Sequence, residues 1–330
     1  MRRREFIAGL MGAATWPAAA RAQQPKVPVV GLLSGVSFEG AYAAPVAAIR
    51  QGLQETGFVE GQNLTLDYRT ADGRYDRLPA LAAALVRSQA AVIVAIGASA
   101  PALAAAKAAA STVPVVFANG SDAAEVGLVK SLNAPEGNAT SAGFAATGLA
   151  SKRLELLLEL VQRRAFLVGY LDNSRTSEAF EANVGDVTAA ARNRGRELAV
   201  FDAATEEEVE TAFTNMALQR VRALIVSPDP FLTTRQQQII ALAALSAVPT
   251  IFAARGAVMF GGLMSYGVLA NDIYRVAGIL AGRILKGATP AESPNMVPAR
   301  FELVINNKTA KALRIAVPRQ LLIRADEIIE

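Results

Sequence analysis

Five clusters of small polar residues fall directly after apolar runs of strand length: Ser34-Gly35-Val36-Ser37-Phe38, Gly97-Ala98-Ser99, Asn119-Gly120-Ser121-Asp122, Asp172-Asn173-Ser174 and Ser227-Pro228-Asp229-Pro230. Hydroxyls, amides and carboxylates in such places do one of two things. They cap the next helix by accepting its free N–H groups, or they line the crevice outside the carboxyl ends of a parallel sheet, where helix starts aim donors at a ligand. Capping suffices for any one cluster. Five clusters at matching places favour a binding cleft.

The chemistry such a cleft offers is non-covalent. N–H groups after Ser34 and after Gly97-Ala98-Ser99 suit a carboxylate, and Asp122 or Asp229 suits an ammonium. Phe38, Phe231 and Tyr266 are the aromatic residues nearest these loops, with stacking, shielding or core packing as their alternatives. The candidate ligand-binding set is therefore Ser34, Ser37, Phe38, Gly97, Ala98, Ser99, Asn119, Ser121, Asp122, Asn173, Ser174, Asp229 and Tyr266. The expected ligand is a small zwitterion or carboxylate, an amino acid first, aromatic ones included.

Covalent and metal chemistry lose their usual residues. The 330-residue chain has no His and no Cys, so the common general base, the thiolate nucleophile and the usual zinc and iron–sulfur ligands are absent. Gly97-Ala98-Ser99-Ala100-Pro101 begins like a nucleophile elbow, but Pro stands where the second Gly belongs and no His can activate the serine. No G-x-x-x-x-G-K-[ST] occurs, and Gly31-Leu32-Leu33-Ser34-Gly35 lacks the G-x-G-x-x-G spacing. Glu206-Glu207-Glu208 reads as the acidic start of a helix, and Arg163-Arg164 as a basic helix end. No cofactor, metal or catalytic residue is expected.

The elements that position the clusters come from periodicity. Strands are predicted at 27–33, 63–68, 91–96, 113–117 and 140–144, with helices at 43–56, 77–87, 100–110 and 123–132 between them. A second series repeats the order, with strands at 166–171, 197–201, 223–226 and 248–252 and helices at 152–162, 177–193, 206–219 and 235–245. A strand-like return at 262–267, a helix at 272–286, a Pro/Gly-punctuated connection and an extended stretch at 294–305 follow. The fold class is α/β: two topologically alike lobes with mostly parallel sheets built from βαβ units.

The amino terminus reads as an address. Arg2-Arg3-Arg4 precedes an apolar run over 6–20 and the small-x-small site Ala20-Arg21-Ala22, the layout of a secretory signal over 1–22 cleaved near Ala22. Arg3-Arg4-Glu5-Phe6-Ile7 looks like a twin-arginine motif, and an ordinary Sec signal explains it as well. Without Cys no lipid anchor is expected, so the mature protein should be soluble and held in a bacterial periplasm. The Lys+Arg total of 33 against 29 Asp+Glu owes its excess mostly to this segment, and no basic stripe for nucleic acid remains.

Several segments carry a resemblance. The exported start, Val30-Gly31-Leu32-Leu33, Gly57-Phe58-Val59-Glu60-Gly61-Gln62-Asn63-Leu64 before Asp67-Tyr68-Arg69, and Leu263-Met264-Ser265-Tyr266-Gly267 ahead of Asp272 belong to it. So do two C-terminal segments, Phe301-Glu302-Leu303-Val304-Ile305-Asn306 up to Ala310 and Arg324-Ala325-Asp326-Glu327-Ile328-Ile329-Glu330, the most specific of all. Together, over 27–330, the chain resembles the periplasmic substrate-binding proteins of ABC transporters, most closely the group with the tryptophan-binding TrpX-type proteins.

The resemblance implies a type I periplasmic-binding-protein fold, two Rossmann-like lobes with parallel sheets joined by three hinge crossings that close on a small ligand and deliver it to an ABC transporter membrane permease. The crossings are expected near Gly143, 262–266 and 296–301. Lobe 1 would be 27–143 plus about 265–292, and lobe 2 would be 144–264 plus about 293–330. The family often reads Gly-x-Asp-Pro where this chain has Asp122 followed by Ala123, a departure in that loop. Two other classes compete. A transcriptional regulator needs an N-terminal helix-turn-helix where the signal stands, and an exported carboxylate-pair hydrolase would set Asp122 against Asp229.

Overall fold

Strands of a parallel sheet covered on both faces read as continuous apolar runs, and the two runs that open the series, VVGLLS and LVGYLD, are buried along almost their whole length. The structure is a computed structural model that describes residues 27–97, 100–109, 112–119, 138–143, 148–161, 166–175, 180–292 and 300–330. The first sheet holds β1 (Val29–Ser34), β2 (Thr65–Thr70), β3 (Val92–Ile96), β4 (Val115–Asn119) and β5 (Ala139–Gly143) in the order β2-β1-β3-β4-β5, all parallel. Helices α1 (Ala43–Glu55), α2 (Leu78–Arg87) and α3 (Ala100–Ala109) make the crossovers from β1 through β4.

The second series starts with α4 (Leu149–Val161), β6 (Leu167–Asp172), α5 (Phe180–Asn193), β7 (Glu197–Asp202), α6 (Glu206–Leu218) and β8 (Val221–Val226). It continues through α7 (Pro230–Thr234), α8 (Gln236–Leu245), β9 (Thr250–Phe252), α9 (Arg255–Met259) and β10 (Met264–Val268). After α10 (Ala270–Leu285) come β11 (Phe301–Asn306), α11 (Asn307–Ala312), α12 (Arg319–Arg324) and β12 (Glu327–Ile329). The sheet order is β12-β11-β10-β9-β8-β6-β7, parallel except for the antiparallel β10–β11 pair.

Strand order reverses once among the opening strands of each sheet, between β1 and β3 and between β6 and β8. Those two switch points are where an open α/β sheet leaves a crevice beyond its strand ends.

The helix after β10 belongs by packing to the first lobe. Val276, Ala277, Leu280 and Ala281 of α10 share a core with Ile49 and Leu53 of α1. The helices cross backbone on backbone, since a Cβ on Gly52 or Gly278 would collide with the carbonyl of Arg275 or Ile49. The predicted lobe boundary at about 265 therefore shifts. Residues 265–268 pair with β9 and β11 in the second sheet, so the chain passes between lobes at Leu269, after the strand instead of inside it. The predicted extended stretch at 294–305 is seen as β11, with 293–299 outside the described residues. The predicted signal segment, the predicted helix at 123–132, residues 144–147 that follow Gly143 and residues 296–299 of the last expected crossing also lie outside them.

Candidate functional site

At the first lobe's switch point, Ser34 ends β1 with its hydroxyl turned back to accept the N–H of Val36 at 3.1 Å. Gly97 follows β3 with φ +52°, and a Cβ there would lie 2.9 Å from the Ser34 Oγ and 3.0 Å from the Tyr42 ring. Only glycine satisfies both the left-handed backbone and the contact. Gly35 lies under the Tyr75 ring in the same way, where a Cβ would be 2.5 Å from Cε1. Two tyrosine rings thus occupy the space that side chains at Gly35 and Gly97 would fill. Tyr42 is buried and its hydroxyl interacts with that of Tyr274 on α10, burial holding the Tyr42 hydroxyl well above its ordinary pKa and the Tyr274 one at about 12. The Tyr75 hydroxyl is sealed from solvent with no hydrogen-bond partner among the described residues, and burial raises its pKa.

The second lobe's switch point is built from acids. Asp172 ends β6 and is 3% exposed. Its Oδ1 accepts the Ser227 hydroxyl at 2.6 Å and the Asn173 N–H at 2.8 Å. Burial pushes its carboxyl up to about 6; the nearby Asp229 charge acts the same way, and hydrogen bonds from Ser227, the Asn173 N–H and the Tyr170 hydroxyl oppose it. Asp229, buried in the turn after β8, caps α7 by accepting the N–H of Leu232 at 3.0 Å. The Asn173 amide donates to the same oxygen at 3.4 Å.

The two edges face each other. The Asp229 charge lies close enough to Tyr42 and Tyr75 to raise both hydroxyls further, which places the second lobe's acid opposite the first lobe's tyrosines. At the root of this cleft stands Tyr266 on β10, packed against the cores of both lobes and stacked on Phe301 at 6.1 Å. The Tyr266 carbonyl accepts the Nε–H of Arg153 at 2.8 Å.

Of the residues singled out from the sequence, Ser34, Gly97, Asn173 and Asp229 lie at these two edges and Tyr266 at their root. Ser37 accepts the N–H of Glu39 at 3.2 Å, and Phe38 meets Tyr68 edge-on at 5.5 Å. Ser174 is exposed and directs its N–H and hydroxyl to Asp202 at 2.8 and 2.6 Å, which ties β6 to β7. Phe231, the other aromatic candidate, is buried in the second lobe's core. Asn119 ends β4 with its backbone in register with Gly143. Ala98, Ser99, Ser121 and Asp122 lie outside the described residues.

Sequence reasoning passed over Tyr42, Tyr75, Asp172, Ser227 and Arg153. Asp172 and Ser227 stood inside clusters already noted. Arg153 had a signal of its own, a charged residue on the apolar stripe Leu149, Leu154, Leu156, Leu157, Leu160 of α4. Among the described residues no group of three or more acidic side chains is placed to hold a metal ion, and no helix is long and apolar enough to cross a membrane.

Known proteins share this fold. A tyrosine-binding protein of Clostridioides difficile is 27% identical over 281 residues, 84% of this chain and 79% of that protein. A conserved domain protein of Vibrio cholerae superposes with a TM-score of 0.84 at 25% identity over 92% of this chain and 100% of the other. A Streptococcus protein solved in complex with L-tryptophan superposes at 0.82, also at 25% identity, over 92% and 99% of the two chains. The fold is that of the type I periplasmic binding proteins. Residues 23–329 match the family described as ABC transporter substrate binding protein, and the chain, two switch-point edges facing across one cleft, belongs to that family of solute-capturing proteins.

Proposed function

We propose that the ligand is an L-amino acid, aromatic ones first, held in the cleft between the two lobes and handed to an ABC transporter permease. The observation that carries this is the apposition of the Asp172–Asp229 edge to the Tyr42–Tyr75 edge. Two buried carboxylates suit an ammonium, and tyrosine rings suit an apolar or aromatic side chain. The tyrosine-binding relative and the tryptophan complex support the same ligand class. On this reading the lobes close as rigid bodies over the ligand, with Leu269 one of the hinges.

Titration calorimetry with the amino acids tests the ligand class. A ligand present at a hundred times its Kd stabilises the folded protein by about 2.7 kcal/mol, so L-tyrosine or L-tryptophan at that excess should raise the melting temperature, while D-amino acids should not. Small-angle scattering should show compaction on saturation. No stabilisation by any L-amino acid would count against the reading. Export to the periplasm belongs to the same proposal and rests on the Arg-rich start and the Ala20-Arg21-Ala22 site. Protein from the native host should then begin near Gln23, and an intact mass that retains Met1 would oppose it.

A further inference from the structure

Arg153 is 4% exposed, and it stands out because no carboxylate among the described residues pairs with it. Its Nε–H donates to the Tyr266 carbonyl at 2.8 Å; Nη1 and Nη2 have no hydrogen-bond or ion-pair partner among the described residues. Neither of them is among the polar atoms sealed away unpaired, so the fork retains an opening. The ionisable groups that act on it are the hydroxyls of Tyr170 and Tyr266, and no described carboxylate does so. A buried cation without an anion costs several kcal/mol, which is why buried arginines are normally paired.

Its position gives the reason for tolerating that cost. Arg153 lies in the second turn of α4, against β6 and β10, at the root of the cleft. Tyr170, one of its neighbours, reaches Asp172 at the second lobe's switch point. Both of its neighbours are thus part of the cleft's own framework, and the two vacant Nη donors match the two oxygens of a carboxylate.

We propose that Arg153 receives the carboxylate of the bound ligand through Nη1 and Nη2. This rests on the reading of the cleft as an amino-acid site, and it divides a zwitterion between Arg153 and the Asp172–Asp229 edge. It replaces the helix-start N–H groups as the expected carboxylate partner.

The experiment is calorimetry of wild type, Arg153→Met and Arg153→Lys with L-tyrosine, L-tryptophan and their decarboxylated counterparts tyramine and tryptamine, with circular dichroism to verify folding. Wild type should prefer each amino acid to its amine by about a hundredfold, the scale of one desolvated charge pair. In Arg153→Met that preference should collapse to within about threefold, because the amino acid weakens and the amine does not. Arg153→Lys keeps the charge and a donor for the Tyr266 carbonyl but loses the fork, so it should cost the amino acids about tenfold; it is the decisive variant should the Met form not fold.

A folded variant that keeps the wild-type preference overturns the proposal. So does a wild type that binds tyramine as tightly as L-tyrosine. If wild type ignores aromatic amino acids but is stabilised by L-leucine or succinate, and Arg153→Met abolishes that effect, the Arg153 assignment stands and the aromatic reading falls. Stabilisation by no carboxylate in the panel overturns Arg153 as a carboxylate site.

Discussion

The two switch points use one backbone plan for different chemistry. Ser34, Gly35 and Gly97 in the first lobe correspond by place to Asp172, Asn173 and Ser227 in the second: the last residue of the opening strand, the residue after it, and the residue after the third strand. Where the first lobe has glycines, tyrosine rings move in from neighbouring turns. Where the second lobe has side chains, a hydrogen-bonded acid cluster forms at the strand ends, with a buried arginine one layer below. Among the described residues the first lobe's edge is neutral and aromatic, and the second lobe's edge is charged. Charged groups fix the orientation of a ligand, whereas aromatic groups bury it. On the proposed reading the second lobe holds the zwitterion even when the cleft is open, and the first lobe closes over it.

The sharpest way to break that division is to remove charge from the second lobe. Asp229→Ala deletes the carboxylate and the cap of α7. Truncating one partner of a buried charge pair costs about 2–5 kcal/mol of binding, roughly 30-fold to several thousand-fold in Kd. Loss of the cap should also lower folding stability by about 1 kcal/mol in denaturant titrations. Asp229→Asn keeps an oxygen for the Leu232 N–H, so it should lose the affinity and keep most of the stability. Equal losses of affinity for amino acids and for neutral ligands would place the charge elsewhere.

Asp172 tests the same edge through pH. Its folded carboxyl sits at about 6, above the 3.8 of a free aspartate, so the folded state holds an extra proton between those values. Stability from this group is therefore full below about pH 4 and is lost as pH rises toward 6, by ~3 kcal/mol at about 1.4 kcal/mol per pH unit. Glu155 and Glu208, held low chiefly by hydrogen bonds from Lys152 and from the Ala204 N–H, act in the opposite direction. The difference between wild type and Asp172→Asn isolates the aspartate. Binding of an ammonium needs the ionised form, so affinity should fall as pH drops below 6, by up to about tenfold per unit. Asp172→Asn should bind more weakly at neutral pH and lose that slope.

Much of the frame was legible because parallel strands buried on both faces must be apolar runs. Among the described residues, the strands of both series and their crossover helices were located from that, and the polar clusters that end them pointed to the switch points. Strands β10 and β11 were expected from the runs at 262–267 and 294–305, but periodicity does not report their antiparallel pairing, and the three-residue edge strand β12 carries too little periodic signal to be seen. Tyr42 and Tyr75 were missed for a different reason. Their importance comes from two glycines distant in sequence that leave room for the rings, and only the fold brings those glycines beneath them. Phe231 was favoured for its nearness to Asp229, but it follows the first residue of α7, and the helix turns its ring into the core.

The glycines give the first lobe's counterpart test. Gly97→Ala places a Cβ at φ +52°, 2.9 Å from both the Ser34 Oγ and the Val36 side chain. The left-handed backbone alone costs roughly 1–2 kcal/mol, and the contacts should bring the total to about 2 kcal/mol or more. Gly57→Ala is the control, since φ is +90° there but nothing lies within 4 Å. Its loss should be the backbone part only. A Gly97→Ala variant no less stable than Gly57→Ala would mean that the Tyr42 ring and Ser34 have room to retreat.

The smallest expected effect is the most specific. Tyr75 brings a sealed hydroxyl without a hydrogen-bond partner among the described residues to the edge that Asp229 faces. An unsatisfied buried hydroxyl costs about 1 kcal/mol or more, so Tyr75→Phe should raise the stability of the empty protein by about that amount, a few degrees at most in melting temperature. If that hydroxyl is kept for the ligand, the same substitution should weaken amino-acid binding by several-fold, about 1 kcal/mol. The two changes have opposite signs, which a purely structural tyrosine would not produce. Losing both stability and affinity would make Tyr75 a packing residue. Losing neither would mean that water satisfies the hydroxyl in solution, and the first lobe would then contribute enclosure alone.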